Sequence, residues 1–246
     1  MFFRPRYELK YLIPASRAHA IEGKLTGRCH QDDNGQEGSY INESLYFDSP
    51  RFDFYFHKRE GVKLRRKVRI RRYGDTGPWD RVFVEVKRRN GQYIEKGRFP
   101  LAGDLLPVLF NPSHRSDIGQ GLSPAALQVY NEVLSLAQLY QLRPAIFIRY
   151  RRRAFWAEGD ERLRITFDSD LCYDLVNRDC SSPLENTRFI FDADLMVMEI
   201  KANGRVPFWV LQLIQEFECQ MTRFSKYCLG LEHAHGMAGS GVGRFR

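Results

Sequence analysis

Much that would classify this chain at a glance is missing. Cysteine is scarce and odd in number: five in 246 residues, with no C-x-x-C pair among Cys29, Cys172, Cys180, Cys219 and Cys228. That argues against a disulfide framework. With no signal peptide legible at the start, reduced thiols and a cytoplasmic location are expected. No apolar run approaches the ~20 residues of a membrane-spanning helix. There is no G-x-x-x-x-G-K-[ST] loop and no strand-linked G-x-G-x-x-G, so phosphate recognition here must come from side chains. There is no H-E-x-x-H, and six scattered histidines offer no zinc site. No repeat recurs at solenoid spacing. Acidic residues are outnumbered, 30 against 38 basic ones.

What is present is a chain able to build a core. Hydrophobic residues make up 43% and aromatics 13%, which marks a folding chain and not a disordered one, and the length fits one large domain or two small ones. No strong linker divides it. The net charge of +8 points to a polyanionic partner: nucleic acid, anionic lipid or a phosphate-rich small molecule. The Gly-rich end, 233–246, is expected to be a flexible tail.

Periodicity predicts alternating strands at "RYELKYLI", "YINESLYFDSP", "KLRRKVRIRRY", "RVFVEVKRR", "YIEKGRFPL", "PAIFIRYRRRAFWA", "RLRITFDSDL" and "LMVMEIKAN". "GDTGPWD" and "NGQ" read as turns. Helices are predicted after Pro14, over 123–140 with Ser123 as cap and Pro124 in the first turn, and at "VPFWVLQLIQEFE", a core or plugging element. Residues 103–123 read as loop-rich. The sum is an α+β domain of about eight antiparallel strands, the closure number of a small barrel.

Seven of the ten residues from Lys63 to Arg72 are basic. Alternation places Lys63, Arg65, Lys67, Arg69 and Arg71 on one face, and Leu64, Val68 and Ile70 on the other. A single such face is ordinarily just solvated, but this one recurs. Glu85 shares a face with Lys87, Lys96 with Arg98, Tyr150 with Arg152, Arg162 with Arg164, Glu199 with Lys201 and Glu8 with Lys10. Like charges on neighbouring strands repel unless an anion lies between them. A few carboxylates among them suit a divalent metal that bridges phosphates. Lys63, Arg72 and Arg89, at strand ends, read as solvated. Tyr7, Tyr11 and Tyr46 read as packing residues.

The segments "RYELKYLI", "SLYFDSP", "VRIRRYG", "FVEVKRR", "IRYRRRAF", "LRITFD", "MEIKANGRVPFW" and "RFSKY", in that order, resemble the VTC domain. This is the polyphosphate polymerase domain of the vacuolar transporter chaperone complex, and it has stand-alone bacterial relatives. It belongs to the triphosphate tunnel metalloenzyme, or CYTH-like, group. The resemblance covers residues 4–232 and none of the eukaryotic complex's phosphate-sensing or membrane parts, so a stand-alone bacterial type is expected.

The resemblance implies a closed antiparallel eight-stranded β-barrel tunnel with flanking helices. It implies catalytic roles for Lys10, Arg69, Arg71, Lys87, Arg152, Arg164 and Glu199. Lys96, Tyr150, Lys201, Arg223, Ser225 and Lys226 would bind phosphate. Glu199 would hold Mn2+ or Mg2+, with Glu85 and Glu8 as further candidates. Glu8 sits in an E-x-K arrangement, unlike the E-x-E-x-K of CYTH triphosphatases, which puts its metal role in doubt. The implied partners are ATP or another triphosphate, inorganic polyphosphate and pyrophosphate. The implied reaction is transfer of the ATP γ-phosphate to a growing polyphosphate chain. The alternatives are a triphosphatase on the same tunnel and an inactive polyphosphate-binding module. An RNA-binding β-domain ranks last, because Val, Ile and Leu, rather than stacking aromatics, separate the cations.

Overall fold

Most strands form where apolar and polar residues alternate, and β4 and β5 bury the apolar side that alternation predicts, whereas β3 is buried on both sides. The computed structural model describes residues 6–33, 35, 38–74, 79–91, 93–176, 187–223 and 225–236. Cys180, much of the "GDTGPWD" turn, Gln92 of "NGQ", Phe224 of "RFSKY" and the tail from residue 237 lie outside them.

The strands are β1 (Arg6–Pro14), β2 (Cys29–Gln31), β3 (Ser39–Asp48), β4 (Leu64–Tyr73), β5 (Arg81–Asn90), β6 (Tyr93–Ala102), β7 (Arg143–Ala157), β8 (Asp160–Asp174), β9 (Arg188–Phe189) and β10 (Leu195–Asn203). The helices are α1 (Ala15–Leu25), α2 (Asp53–Arg59), α3 (Arg115–Gly119), α4 (Pro124–Tyr140), α5 (Phe208–Glu216) and α6 (Lys226–His235). The loop-rich stretch before α4 also holds two 3-10 segments, Gly103–Val108 and Pro112–His114. Ser123 caps α4 by accepting the Ala126 N–H, with Pro124 in its first turn.

All pairings are antiparallel, in the order β1-β10-β8-β7-β3-β4-β5-β6, with β2 on β7 and β9 on β8. Six strand spacings separate β1 from β5, about 29 Å in a flat sheet. Yet Lys87 Nζ of β5 lies 3.4 Å from Glu8 Oε2 of β1. The sheet is therefore curled until its two ends meet through side chains.

The expected closed barrel needs a correction, because no ladder joins β1 to β6 among the described residues. The free edge of β1 is taken instead by the chain at 221–222. Tyr11 bridges Met221, and the Thr222 N–H donates to the Lys10 carbonyl over 2.7 Å.

The convex face is covered by helices. Val68, Ile70, Val84, Val86 and Phe99 pack with Tyr130 and Val133 of α4. Ile13, Phe167, Met198 and Ile200 pack with Ile21 of α1 and Val210 and Leu213 of α5. So α5 belongs to the outer core and does not plug the interior.

That position belongs to α6. Its Tyr227, Leu229 and Leu231 pack with Tyr46, Ile146, Ile148, Tyr150 and Val197, which share the concave face. Gly230 permits the contact, since a Cβ there would stand 2.5 Å from the Ile148 side chain. The helix ends at Gly236, in the left-handed conformation at φ 61. It thus runs three residues past the expected start of the tail.

Among the described residues no helix is long and apolar enough to cross a membrane. Cys29, Cys172, Cys219 and Cys228 are buried free thiols.

Candidate active site

Strand register turns separate charged faces into one surface. Across β1, β10 and β8, Lys10 faces Glu199 and Glu199 faces Thr166; one row on, Glu8 faces Lys201 and Lys201 faces Arg164. Across β3, β4, β5 and β6, Tyr46 faces Arg69, Arg69 faces Glu85 and Glu85 faces Arg98, while Lys67, Lys87 and Lys96 form the neighbouring row. Arg152 faces Asp168 and Tyr40. An irregularity in β7 between Arg149 and Arg151 brackets Tyr150, and such bulges re-aim side chains.

Three carboxylates each hold two cations. Asp168 takes Arg152 in a two-pronged pair, 2.6 and 2.8 Å, and Lys226 at 2.6 Å. Burial works to raise its carboxyl, but Arg152 and Lys226 bring it down to about 2. Glu85 takes Arg69 at 2.7 Å and Lys96 at 2.5 Å. Against its burial, Arg69, Arg71 and Lys96 hold it at about 2. Glu8 lies 3.6 Å from Lys10 and 3.4 Å from Lys87.

Glu199 is buried beside Lys10 at 3.7 Å, Lys201 at 3.4 Å and Arg152 at 3.9 Å. Burial opposes its charge, yet Lys10 and Lys201 keep its carboxyl well below the usual range. Burial drives the Lys201 ammonium down to about 8 even with Glu199 alongside.

Near the centre of this face Arg71 and Lys67 have no ion pair with a carboxylate among the described residues. Arg71, buried, donates to Ser44 Oγ at 3.1 Å and the Tyr150 hydroxyl at 3.2 Å, and its guanidinium also meets Tyr73. Lys67 donates to Ser225 Oγ at 2.7 Å and lies 5.3 Å from the Tyr227 ring centre. Its burial lowers the ammonium to about 8. Tyr150 also lies under Arg152 and Lys226, at 5.1 and 4.7 Å from the ring centre. Tyr46 stacks on Tyr227 and accepts from Arg69 at 2.9 Å. Burial would raise its phenol, but Arg69, Arg71 and Lys67 bring it down to about 8. On the same face, buried Asn42, Thr166 Oγ1, Arg164 Nε and Glu199 Oε1 lack hydrogen-bond partners. Buried polar groups are normally satisfied, so these atoms are open to a ligand, although Glu22, Tyr130, Asn131 and Arg153 on the outer side also carry unpartnered atoms.

The fold thus gathers Glu8, Lys10, Arg69, Arg71, Glu85, Lys87, Lys96, Tyr150, Arg152, Arg164, Glu199, Lys201, Ser225 and Lys226 on one concave face. It does not bring in Arg223, which is exposed and has no described link to the cluster. Arg72 is not solvated as expected: it pairs with buried Glu43 on the convex side, Nε to Oε2 at 2.7 Å.

Sequence reasoning left out four members. Lys67 stood in the alternating run, and Asp168 lies two residues beyond Thr166 in "RITFD", on the charged face; both were legible. Tyr46 gave no signal, because β3 is buried on both faces. Asp32, which takes Arg164 at 3.0 Å, comes from a loop without periodicity.

No group of three or more His, Cys, Asp or Glu that could hold a metal occurs among the described residues. The adjacent carboxylates of Glu199 and Glu8, one with an unsatisfied buried oxygen, suit Mg2+ or Mn2+ held by one or two carboxylates and completed by substrate phosphates.

The described geometry has relatives. A family model described as the VTC domain matches residues 5–235. The chain is 24% identical to vacuolar transporter chaperone complex subunit 4 of Trypanosoma brucei brucei over 81% of its own length and 29% of that protein's. It is 26% identical to subunit 2 of Schizosaccharomyces pombe, over 74% of this chain and 27% of that protein. The chain spans less than a third of the length of these curated relatives. Among solved structures, HpAC1 from Hippeastrum, described as having a dominant triphosphatase activity, aligns with a TM-score of 0.56. That match covers 93% of this chain and 96% of the other at 17% identity, so the likeness is one of fold. With the family model spanning nearly all of the sequence, this chain belongs to the VTC domain family.

Proposed function

We propose that the concave face transfers phosphoryl groups from a bound triphosphate, with ATP as donor and the end of an inorganic polyphosphate or pyrophosphate chain as acceptor. The observation that carries this reading is the presence of two cations with no carboxylate in ion-pair contact among the described residues, buried Arg71 and half-buried Lys67, beside a Glu199–Glu8 carboxylate pair. The curled sheet serves as a tunnel for the linked phosphates. Arg69, Arg71 and Arg152 supply planar forks for phosphate oxygens, and Lys10, Lys67, Lys87, Lys96, Lys201 and Lys226 act as point charges. An anionic oxygen of the acceptor forms the new bond to the γ-phosphorus, the β–γ bridge breaks, and the nucleoside diphosphate leaves. No proton need be moved, so the protein contributes position and charge neutralisation.

Glu199 and Glu8 are the metal-holding residues in this reading. Mg2+ or Mn2+ there would neutralise charge on the phosphate oxygens. Glu85, with Arg69 and Lys96 on it, acts as their structural partner.

A second reading, hydrolysis, keeps the same face and makes water the acceptor. Tyr46 favours it, because a phenol at about 8 amid three cations suits removal of a proton from water.

Incubating the purified protein with ATP and Mn2+ or Mg2+ separates these readings. Growing polyphosphate supports the transferase, orthophosphate alone supports the hydrolase, and tight binding without turnover supports a binding module. Failure to bind any triphosphate overturns all three.

A further inference from the structure

The concave face carries cations that this reaction does not use. Arg65 and Arg89 lie directly opposite one another on β4 and β5, one register row beyond Lys67 and Lys87. Lys58, in the last turn of α2, is the third. Burial, then Arg65 and Arg89, push its ammonium below the usual range. Burial and Arg89 do the same to the Arg65 guanidinium. Among the described residues none of the three has an ion pair with a carboxylate.

Elsewhere on this face carboxylates lie between three pairs of cations: Asp168 between Arg152 and Lys226, Glu85 between Arg69 and Lys96, Glu8 between Lys10 and Lys87. At the Lys58 end that device is missing. Two guanidiniums directly opposite in a ladder destabilise it unless an anion lies between them. The Arg89 Nε donates to the Gly91 carbonyl at 2.7 Å, which fixes the orientation of its fork. From Arg71 to Arg65 is six residues of β4, about 20 Å. Three linked phosphates do not cover that span; a longer chain does.

We propose that Lys58, Arg65 and Arg89 form a second anion subsite that grips the distal phosphates of a linear inorganic polyphosphate, beyond those held around Arg69 and Arg71. The inference rests on the function proposed above. It gives the groove a preference for long chains, and so a means of retaining a product as it lengthens.

The test compares binding of tripolyphosphate and long-chain polyphosphate to the wild-type protein and to the Arg65→Gln/Arg89→Gln double variant, by calorimetry. Wild type is expected to hold the long chain more tightly. The double variant is expected to lose about tenfold or more of that affinity while its tripolyphosphate affinity stays unchanged. The Arg65→Lys/Arg89→Lys variant should retain most of the preference. Without ligand, the Gln variant should melt no lower than wild type, because a like-charge contact is relieved. A double variant that keeps the wild-type preference, or loses affinity for both ligands equally, overturns the subsite and leaves the groove reading intact. A wild-type protein that binds neither ligand overturns both.

Discussion

Lys67 and Ser225, 158 residues apart, are joined by a 2.7 Å hydrogen bond from ammonium to hydroxyl. The same Ser225 oxygen accepts the Cys228 N–H at the start of α6. One hydroxyl therefore couples the cationic face to the helix seated on it. Ser225→Ala should lower the unfolding free energy by about 1 kcal/mol through the lost cap, read by urea denaturation. It should also weaken tripolyphosphate binding, because Lys67 loses its anchor. Unchanged values in both measurements would refute the coupling.

Lys67 should impose a pH dependence on binding. Its ammonium titrates at about 8 in the free protein, so above that pH the site loses a positive charge and affinity for a polyanion falls. Lys67→Arg keeps its charge throughout this range and should make the fall between pH 8 and 9.5 shallower, leaving the part due to Lys201 and Tyr46, which also titrate at about 8. Lys67→Met should weaken binding at pH 7 by about tenfold. Parallel profiles for wild type and Lys67→Arg would remove Lys67 from the site.

Glu199→Gln and Arg69→Ala should fail in different ways. The first should lose turnover and the response to added Mn2+, while metal-free tripolyphosphate binding persists or tightens as a negative charge is removed. The second should lose binding and turnover together. Near-normal synthesis in both would displace the site from this face.

Asp168→Asn leaves Arg152 and Lys226 facing one another without their shared carboxylate. Breaking a buried pair costs about 3–5 kcal/mol, so a large fall in Tm is expected. The acid limb gives a second readout. Because the folded Asp168 sits at about 2, below its ordinary 3.8, its contribution is fully present above pH 4 and is lost as pH falls towards 2. The variant should lack that part of the slope.

Gly230→Val should unseat α6 from β7. Its Cβ would meet the Ile148 and Ile146 side chains at 2.5 and 3.0 Å, and overpacking of this kind costs about 1–3 kcal/mol. The expected signature is a lower Tm together with loss of the Lys67 pH response, because Ser225 moves with the helix. A variant as stable as wild type would show that the inner helix is not closely packed.

The strands were legible wherever one face was apolar and the other charged. β4 shows why: Val68 and Ile70 are buried under α4, which leaves Lys67, Arg69 and Arg71 on the concave side. A shift of one residue would bury the charges in the convex core, so the register follows from composition alone. The same logic made Glu199 and Lys201 readable. It failed on β3, whose Tyr46 has buried residues on both sides, and on α6. The segment "SKYCLGLEHAH" has no strong amphipathic contrast, because the helix is surrounded by the curled sheet. It failed also for α5, whose apolar face was equally compatible with the inside or the outside of the curl.

Alternation along each strand was sufficient to determine, from the sequence alone, which side chains share a face, and hence that lysines, arginines and a few glutamates line one surface. Tertiary structure alone decided which of those cations meet a carboxylate and which are left without one. Lys87 finds Glu8 only because the sheet bends its ends together, and Asp168 holds Lys226 only because α6 enters the curl. Local pattern depends on neighbours two residues away, whereas these charge pairs join groups 58 and 79 residues apart, and no periodicity encodes that distance.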